Sequence, residues 1–352
     1  MVSYQILHTG DEAKWHEYLG AISHKQLVHF PRYARIYERY GDGTGQCFVY
    51  ECDGGIVLYP FLRRTIEGAP GLTDITTPYG YGGPVYECRK GYQPADLVAD
   101  FRMAFVDYAR ETKTISEFVR FHPFLANHEH FIGRMDDVSL HCVNALIDLS
   151  IGAEGVFQQY RTSYQQCIRK AHDSGLQVVL VPAPDFIEPF FQLYSASMLR
   201  KHQEGYFKFR RDFLIDLSEE LNDDLKCFAV MHQGNVIAVA LFLHFRGYLD
   251  YFLAASNPAT LSLHPNHLLV HEVALWAIGN GVRWFHLGGG HKSLQFFKRG
   301  FANRSCEYYT GKCIYDRDAY NRLSMAHWGL HNRAWNENES YFPGYRAEFP
   351  AE

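Results

Sequence analysis

Lys298 and Arg299 could do chemistry. They sit in Phe296-Phe297-Lys298-Arg299-Gly300-Phe301, shortly after Trp284-Phe285-His286-Leu287 runs into Gly288-Gly289-Gly290. Glycines directly after a strand mark a place where side-chain bulk is excluded and backbone can approach a ligand. An ammonium beside such a run can neutralise a developing oxyanion or contact a phosphate. A general-base role would need a depressed pKa. The same residues also fit a plain basic pair, Lys298-Arg299, on the surface. The run lacks the Gly-Lys-Ser/Thr ending of a P-loop, and no Gly-x-Gly-x-x-Gly occurs, so a nucleotide loop is not indicated.

Three further stretches carry chemical side chains. Asp74-Ile75-Thr76-Thr77-Pro78-Tyr79-Gly80-Tyr81-Gly82-Gly83-Pro84 interleaves turn formers with tyrosines. It reads either as a ligand loop, with flat faces bearing polar tips, or as an elaborate connection. In Ser116-Glu117-Phe118-Val119-Arg120-Phe121-His122-Pro123-Phe124, Arg120 alternates with aromatics. Its planar fork suits carboxylate or phosphate, and a solvated strand face is the other reading. His264, His267 and His271 recur at helical spacing, but sequence fixes no carboxylate or cysteine partner for them, and no metal is expected. Neither Gly-x-Ser-x-Gly nor His-Glu-x-x-His is present, which argues against common hydrolase designs.

The elements that must position these residues are legible from period and punctuation. Lys226–Met231, Val236–Phe245 and Tyr248–Ala254 read as strands, Asn266–Asn280 as a helix, and Val282–Leu287 as a strand. Gly152–Ser174 reads as one helix stopped by Gly175, and Asp96–Thr112 as another. The order helix, hairpin, long second strand occurs near Phe30–Phe61 and again near Phe186–Phe245. Two copies about 180 residues apart indicate a duplicated domain; a solenoid would repeat every ~20–50 residues.

Composition sets the outer limits. The chain has 352 residues, 47% hydrophobic and 21% charged, with a formal net charge of −5, as expected of two globular domains. A duplex-DNA binder would show a basic excess. Aromatics reach 16%, which dense cores or an aromatic cleft would explain. Eight cysteines are scattered without a Cys-x-x-Cys pair, which reads as reduced thiols. Met1-Val2-Ser3-Tyr4-Gln5 opens no signal peptide and no window is long and apolar enough for a membrane span, so a cytoplasmic location is expected.

Leu287-Gly288-Gly289-Gly290 with Phe297-Lys298-Arg299-Gly300-Phe301 resembles the LGG…FKxGF ending of FemABX-like proteins in the GNAT superfamily. The basic stretch Tyr160-Arg161 to Ser174-Gly175 is similar to that family's helix at the start of its second domain. Thr77–Pro84 and Glu117–Pro123 resemble first-domain signatures of GNAT-fold relatives. The resemblance implies an α/β (α+β) fold of two tandem GNAT-like domains sharing a cleft, each a mixed, mostly antiparallel sheet flanked by helices. The expected boundaries are 1–148, 149–318, and a tail 319–352 packed on the body. It implies transfer of an aminoacyl group, from aminoacyl-tRNA or another activated donor, to an amine acceptor in cell-envelope or natural-product biosynthesis. Lys298 is then the expected catalytic residue. Tyr79, Tyr81, Arg120, Tyr206, Asn266, His267, Gly288, Gly289 and Arg299 are the expected substrate contacts. No resident cofactor is implied; aminoacyl-tRNA or acyl-CoA would be a co-substrate. An acyl-CoA-dependent N-acyltransferase is the alternative. A CoA-binding GNAT cradles pyrophosphate with a Gln/Arg-x-x-Gly-x-Gly/Ala loop, whereas Leu263-His264-Pro265-Asn266-His267 has a proline and no glycine. A non-catalytic binding module is the third reading, which the intact Lys298 motif disfavours.

Overall fold

The computed structural model describes residues 3–201, 209–336 and 341–349. In chain order the elements begin with β1 (Ser3–His8), α1 (Glu12–Gly20), α2 (Pro31–Tyr40), β2 (Thr44–Cys52), β3 (Gly55–Thr65), β4 (Thr73–Thr76), β5 (Val85–Cys88), α3 (Pro94–Glu111) and β6 (Thr114–Arg120). They continue through β7 (Asp137–Asp148), α4 (Gly152–Gln159), α5 (Thr162–Asp173), β8 (Gln177–Val181), α6 (Ile187–Lys201), α7 (Arg211–Leu221), β9 (Leu225–His232) and β10 (Asn235–Phe245). Last come β11 (Tyr248–Ser256), α8 (Pro265–Gly279), β12 (Trp284–Gly288), α9 (Lys292–Arg299), β13 (Arg304–Ile314) and α10 (Arg317–Leu330). Residues 1–141 with 307–352 form one compact unit, and residues 142–306 form the other.

The second unit holds strands in the order β7-β12-β11-β10-β9-β8. All neighbours pair antiparallel except β11 and β12, which are parallel and joined through α8. Tight turns set the hairpins: Gln233-Gly234 closes β9–β10 and Arg246-Gly247 closes β10–β11, all four residues with positive φ. That is the two-residue geometry whose twist matches paired strands. Ala238, Ala240 and Phe242 of β10 enter a core with Leu268, Leu269 and Val273 of α8. The alternate residues Val239, Leu241 and Leu243 are buried as well, and α6 packs on β10 and β11. With both faces covered, β10 reads as a continuous apolar run.

The first unit repeats this order. Its strands run β1-β2-β3-β4-β6-β13, with β5 on β3; β4 and β6 are its parallel pair. Phe101, Phe105 and Tyr108 of α3 pack on Phe48, Tyr59 and Phe61 of β2 and β3 in edge-on and tilted contacts, so much of the aromatic content goes into a dense core. Helix α3 is tied inward by Arg102, which bonds Glu117 at 3.0 Å and Tyr315 at 3.2 Å.

The compact units divide after residues 141 and 306, where the sequence led to boundaries at 148 and 318. Residues 145–148 of β7 pair with β12 in the second sheet, and residues 310–314 of β13 pair with β6 in the first. Each sheet takes its sixth strand from the segment that follows the other unit's fifth. The tail belongs to the first unit: Arg346 meets the buried Asp74 at 2.6 Å, opposite Arg64 at 2.7 Å, and Trp328 donates to the Gly344 carbonyl. The helix expected over Gly152–Ser174 is two helices, broken at Tyr160-Arg161, where Arg161 N–H donates to the Gly300 carbonyl at 2.9 Å.

Candidate active site around Lys298

The motif residues around Lys298 are explained by packing. Phe297 and Phe301, four apart, face the core beside Tyr164, and Phe301 is fully buried. A Cβ on Gly300 would lie 2.0 Å from the Tyr164 ring, so only glycine lets that ring close over the end of α9. A Cβ on Gly289 would lie 2.7 Å from Asn144 Oδ1 and 2.9 Å from Cys142 Sγ. Gly288 and Gly290 take φ of +74° and +128°, which L side chains rarely adopt.

These constraints deliver Lys298 into the protein instead of onto its surface. It is 7% exposed, and its Nζ donates to the Gly289 carbonyl at 2.8 Å and lies 5.5 Å from the Tyr251 ring centre. Burial pushes its pKa down to about 8, against the opposing pull of the Asp250 charge. Arg299 points outward and pairs only loosely with Gln295, one turn earlier. The surface basic pair is therefore split: one cation inside, one outside.

Asp250 ends a directional chain that crosses three neighbouring strands. Cys142 donates to Asn144 Oδ1 at 3.2 Å, and Asn144 Nδ2 lies 3.1 Å from His286 Nε2. His286 Nδ1 lies 2.7 Å from Asp250 Oδ1. An amide nitrogen only donates, so His286 accepts at Nε2 and carries its proton on Nδ1, toward Asp250. His286 is fully buried and the Asp250 side chain is 14% exposed. Desolvation raises the Cys142 thiol and pushes Cys306, which feels Asp250 and Cys142, up to about 12. Both are held as thiols. A shallow groove of about 580 Å³ lined by Asn144, Arg299, Asn303 and Arg304 opens beside this chain.

The remaining expected contacts lie in several places. In the second unit, Asn266 Nδ2 bonds Ser256 at 3.3 Å in the first turn of α8. His267 is wedged among Tyr164, Phe297 and Phe301, and burial pushes its pKa down to about 4. In the first unit, Tyr33 donates to the Tyr79 carbonyl at 2.8 Å, and Tyr81 sits edge-on to Tyr308. Arg120 donates to Thr76 and to the Thr77 carbonyl and stacks on Phe118. The 77–84 loop is pinned by Asn127, which donates to the Gly82 and Pro84 carbonyls. Tyr206 lies outside the described residues.

Residues 158–299, within the second unit, match the model of the acetyltransferase (GNAT) domain. The chain superposes on the crystal structure of FemX with a TM-score of 0.70, at 10% identity, covering 91% of this chain and 99% of that one. A conserved protein of unknown function from Bacteroides thetaiotaomicron gives 0.59 at 11% identity, over 89% and 100% of the two chains. The C-terminal domain of a putative lysylphosphatidylglycerol synthetase from Agrobacterium fabrum gives 0.56 at 14% identity, over 88% and 94%. Residues 158–299 thus match a GNAT domain, and the fold of the chain is like that of FemX. No curated protein sequence matches it.

In this GNAT domain, β11 and β12 are the parallel pair, and Asp250 and His286 stand opposite each other in their register. Sequence reasoning missed both, along with Asn144 and Cys142. The one available signal was His286 in an otherwise apolar strand directly before the glycines. The match of residues 158–299 to the acetyltransferase (GNAT) domain supports an acyltransferase role.

Proposed function

We propose that the protein joins an aminoacyl or related acyl group to an amine, forming an amide bond, with Lys298 as the catalytic residue. The observation that carries this reading is the Lys298 ammonium, buried beside a glycine run and anchored to the Gly289 carbonyl through one of its N–H bonds. A pKa of about 8 leaves it mainly protonated at neutral pH, with other N–H bonds able to meet an oxyanion. The acceptor nitrogen attacks the acyl carbonyl, and charge collects on the carbonyl oxygen. The bond from the acyl carbon to the donor's ester oxygen or thioester sulfur then breaks. The proton lost by nitrogen ends on the departing group.

Asp250 and His286 act through Lys298 as positioning residues. His286 donates to Asp250 and fixes its place, and the Asp250 charge raises the Lys298 pKa against burial. Tyr79, Tyr81 and Arg120 are proposed acceptor contacts. Asn266, His267, Gly288, Gly289 and Arg299 are proposed contacts to the donor or acyl group. Tyr206 remains part of the proposal from sequence alone.

Aminoacyl-tRNA is the preferred donor and acyl-CoA the alternative. What favours the first is the α8 N-terminus. His264 has a φ of +59° and Pro265 occupies the first helical position, so one backbone donor that a pyrophosphate would use is absent. A cytoplasmic setting belongs to this reading, since charged tRNA is found there; no described helix is long and apolar enough to cross a membrane. The deciding experiment is a donor screen read by mass spectrometry of the product. Amide formation with charged tRNA supports the reading. Transfer from acyl-CoA alone moves the protein to the alternative, and no transfer from either sinks amide formation.

A further inference from the structure

We propose a metal site at Cys167, His264 and His267, for a zinc-class divalent ion held by one thiolate and two imidazoles. The sequence shows a histidine series but not its partner. The fold supplies it: α5 packs against α8 and against the turn before it, bringing Cys167 of α5 to the start of α8. One donor atom from each of the three residues lies within 4.8 Å of the other two. Tetrahedral zinc with arms of about 2.0–2.3 Å needs donors roughly 3.3–3.8 Å apart, so about 1 Å of side-chain movement closes the site.

The surroundings hold these groups in place without using their donor atoms. His267 is fixed by the Tyr164 ring at 4.6 Å and the Phe297 ring at 5.1 Å, both edge-on. His264 stands at 90° to His267, with ring centres 5.5 Å apart. Its backbone is left-handed, with φ of +59° and ψ of +40°, a conformation that costs energy in a non-glycine residue. Among the described residues, none of the three side chains has a hydrogen-bond or ion-pair partner. All three are half-buried, so three unused donors converge on one point.

The donor set selects the ion. Thiolate with imidazole suits zinc or cobalt(II), whereas magnesium and calcium require oxygen ligands. The positive end of α8 opposes any cation here, so a thiolate is needed to offset it. Cys167 releases its proton on binding. Three protein ligands leave a fourth position for water or a ligand atom. The inference does not depend on the acyl-transfer reading.

The test uses the full untagged chain, stripped with chelator and titrated with zinc and with cobalt(II). The expected result is one ion per chain. Cobalt should give the visible bands of a four-coordinate site and a thiolate-to-cobalt charge-transfer band. Cys167→Ser, nearly isosteric and expected to fold, should abolish that band and weaken zinc binding more than about 100-fold, beyond what loss of an outer hydrogen bond costs. His264→Ala should weaken binding similarly, and His271→Ala, one turn further along α8, should leave it unchanged. Zinc should also protect Cys167 from alkylation, mapped by peptide mass spectrometry. Absence of uptake, a six-coordinate cobalt spectrum, or binding that survives Cys167→Ser overturns the site.

Discussion

At the residue scale, Lys298 carries opposite consequences for turnover and stability. Lys298→Ala should lower turnover at least about 100-fold, the scale of losing one oxyanion donor, with the circular dichroism spectrum unchanged. Its folded pKa of about 8 lies below the ordinary 10.5. Between those values the unfolded chain binds the proton and the folded one does not, so wild-type stability rises as pH climbs through that window. Lys298→Met removes both the burial cost and this rise. It should gain on the order of 1–2 kcal/mol at neutral pH, and urea unfolding at neutral and alkaline pH would show the difference closing. A variant less stable at neutral pH would refute that account. Asp250 raises the Lys298 pKa, so Asp250→Asn should move the alkaline limb of the pH–rate profile to lower pH. An unmoved limb would mean that Asp250 does not set the lysine's charge.

At the element scale, the end of α9 is fixed by what glycine permits. Gly300→Ala would drive a Cβ into the buried Tyr164 ring, and overpacking of this kind costs about 1–3 kcal/mol. A midpoint shift of that size in chemical denaturation is the expected outcome, and a neutral variant would show that α9 re-seats freely. Lys-x-Gly-Phe was legible as a motif, yet its reason was not. The motif seats Phe297 and Phe301, clears room for Tyr164, and stops α4 from running on into α5 through the Arg161 bond to the Gly300 carbonyl. The α4–α5 break carries no proline or glycine at Tyr160-Arg161, so nothing local announced it.

At the scale of the whole molecule, the exchange of sixth strands decides which fragments can fold. Residues 142–306 include the β7 segment that pairs with β12 and all of β8–β12. A fragment with those bounds should be soluble, with a cooperative unfolding transition. A fragment of residues 149–318 loses β7, leaves the β12 edge open and carries β13 without β6, so it should aggregate. If the second fragment folds and the first does not, the exchange is not what organises the units. The tail acts at this scale too, because Arg346 and Arg64 together neutralise the fully buried Asp74.

Local signals by themselves determined the hairpins, the helix α8, the duplicated strand order, the FemABX-like fold and Lys298 as the residue to examine. Each rests on neighbours close in the chain: a glycine at a turn, an apolar period, a short motif. Tertiary structure alone decided where β7 and β13 pair, that Lys298 is buried while Arg299 is not, and that Asn144, His286 and Asp250 form one chain. It alone brought Cys167 to His264 and His267. Those facts depend on side chains from separate strands and helices meeting at one place. Strand pairing and burial create that proximity, and no spacing along the sequence encodes it.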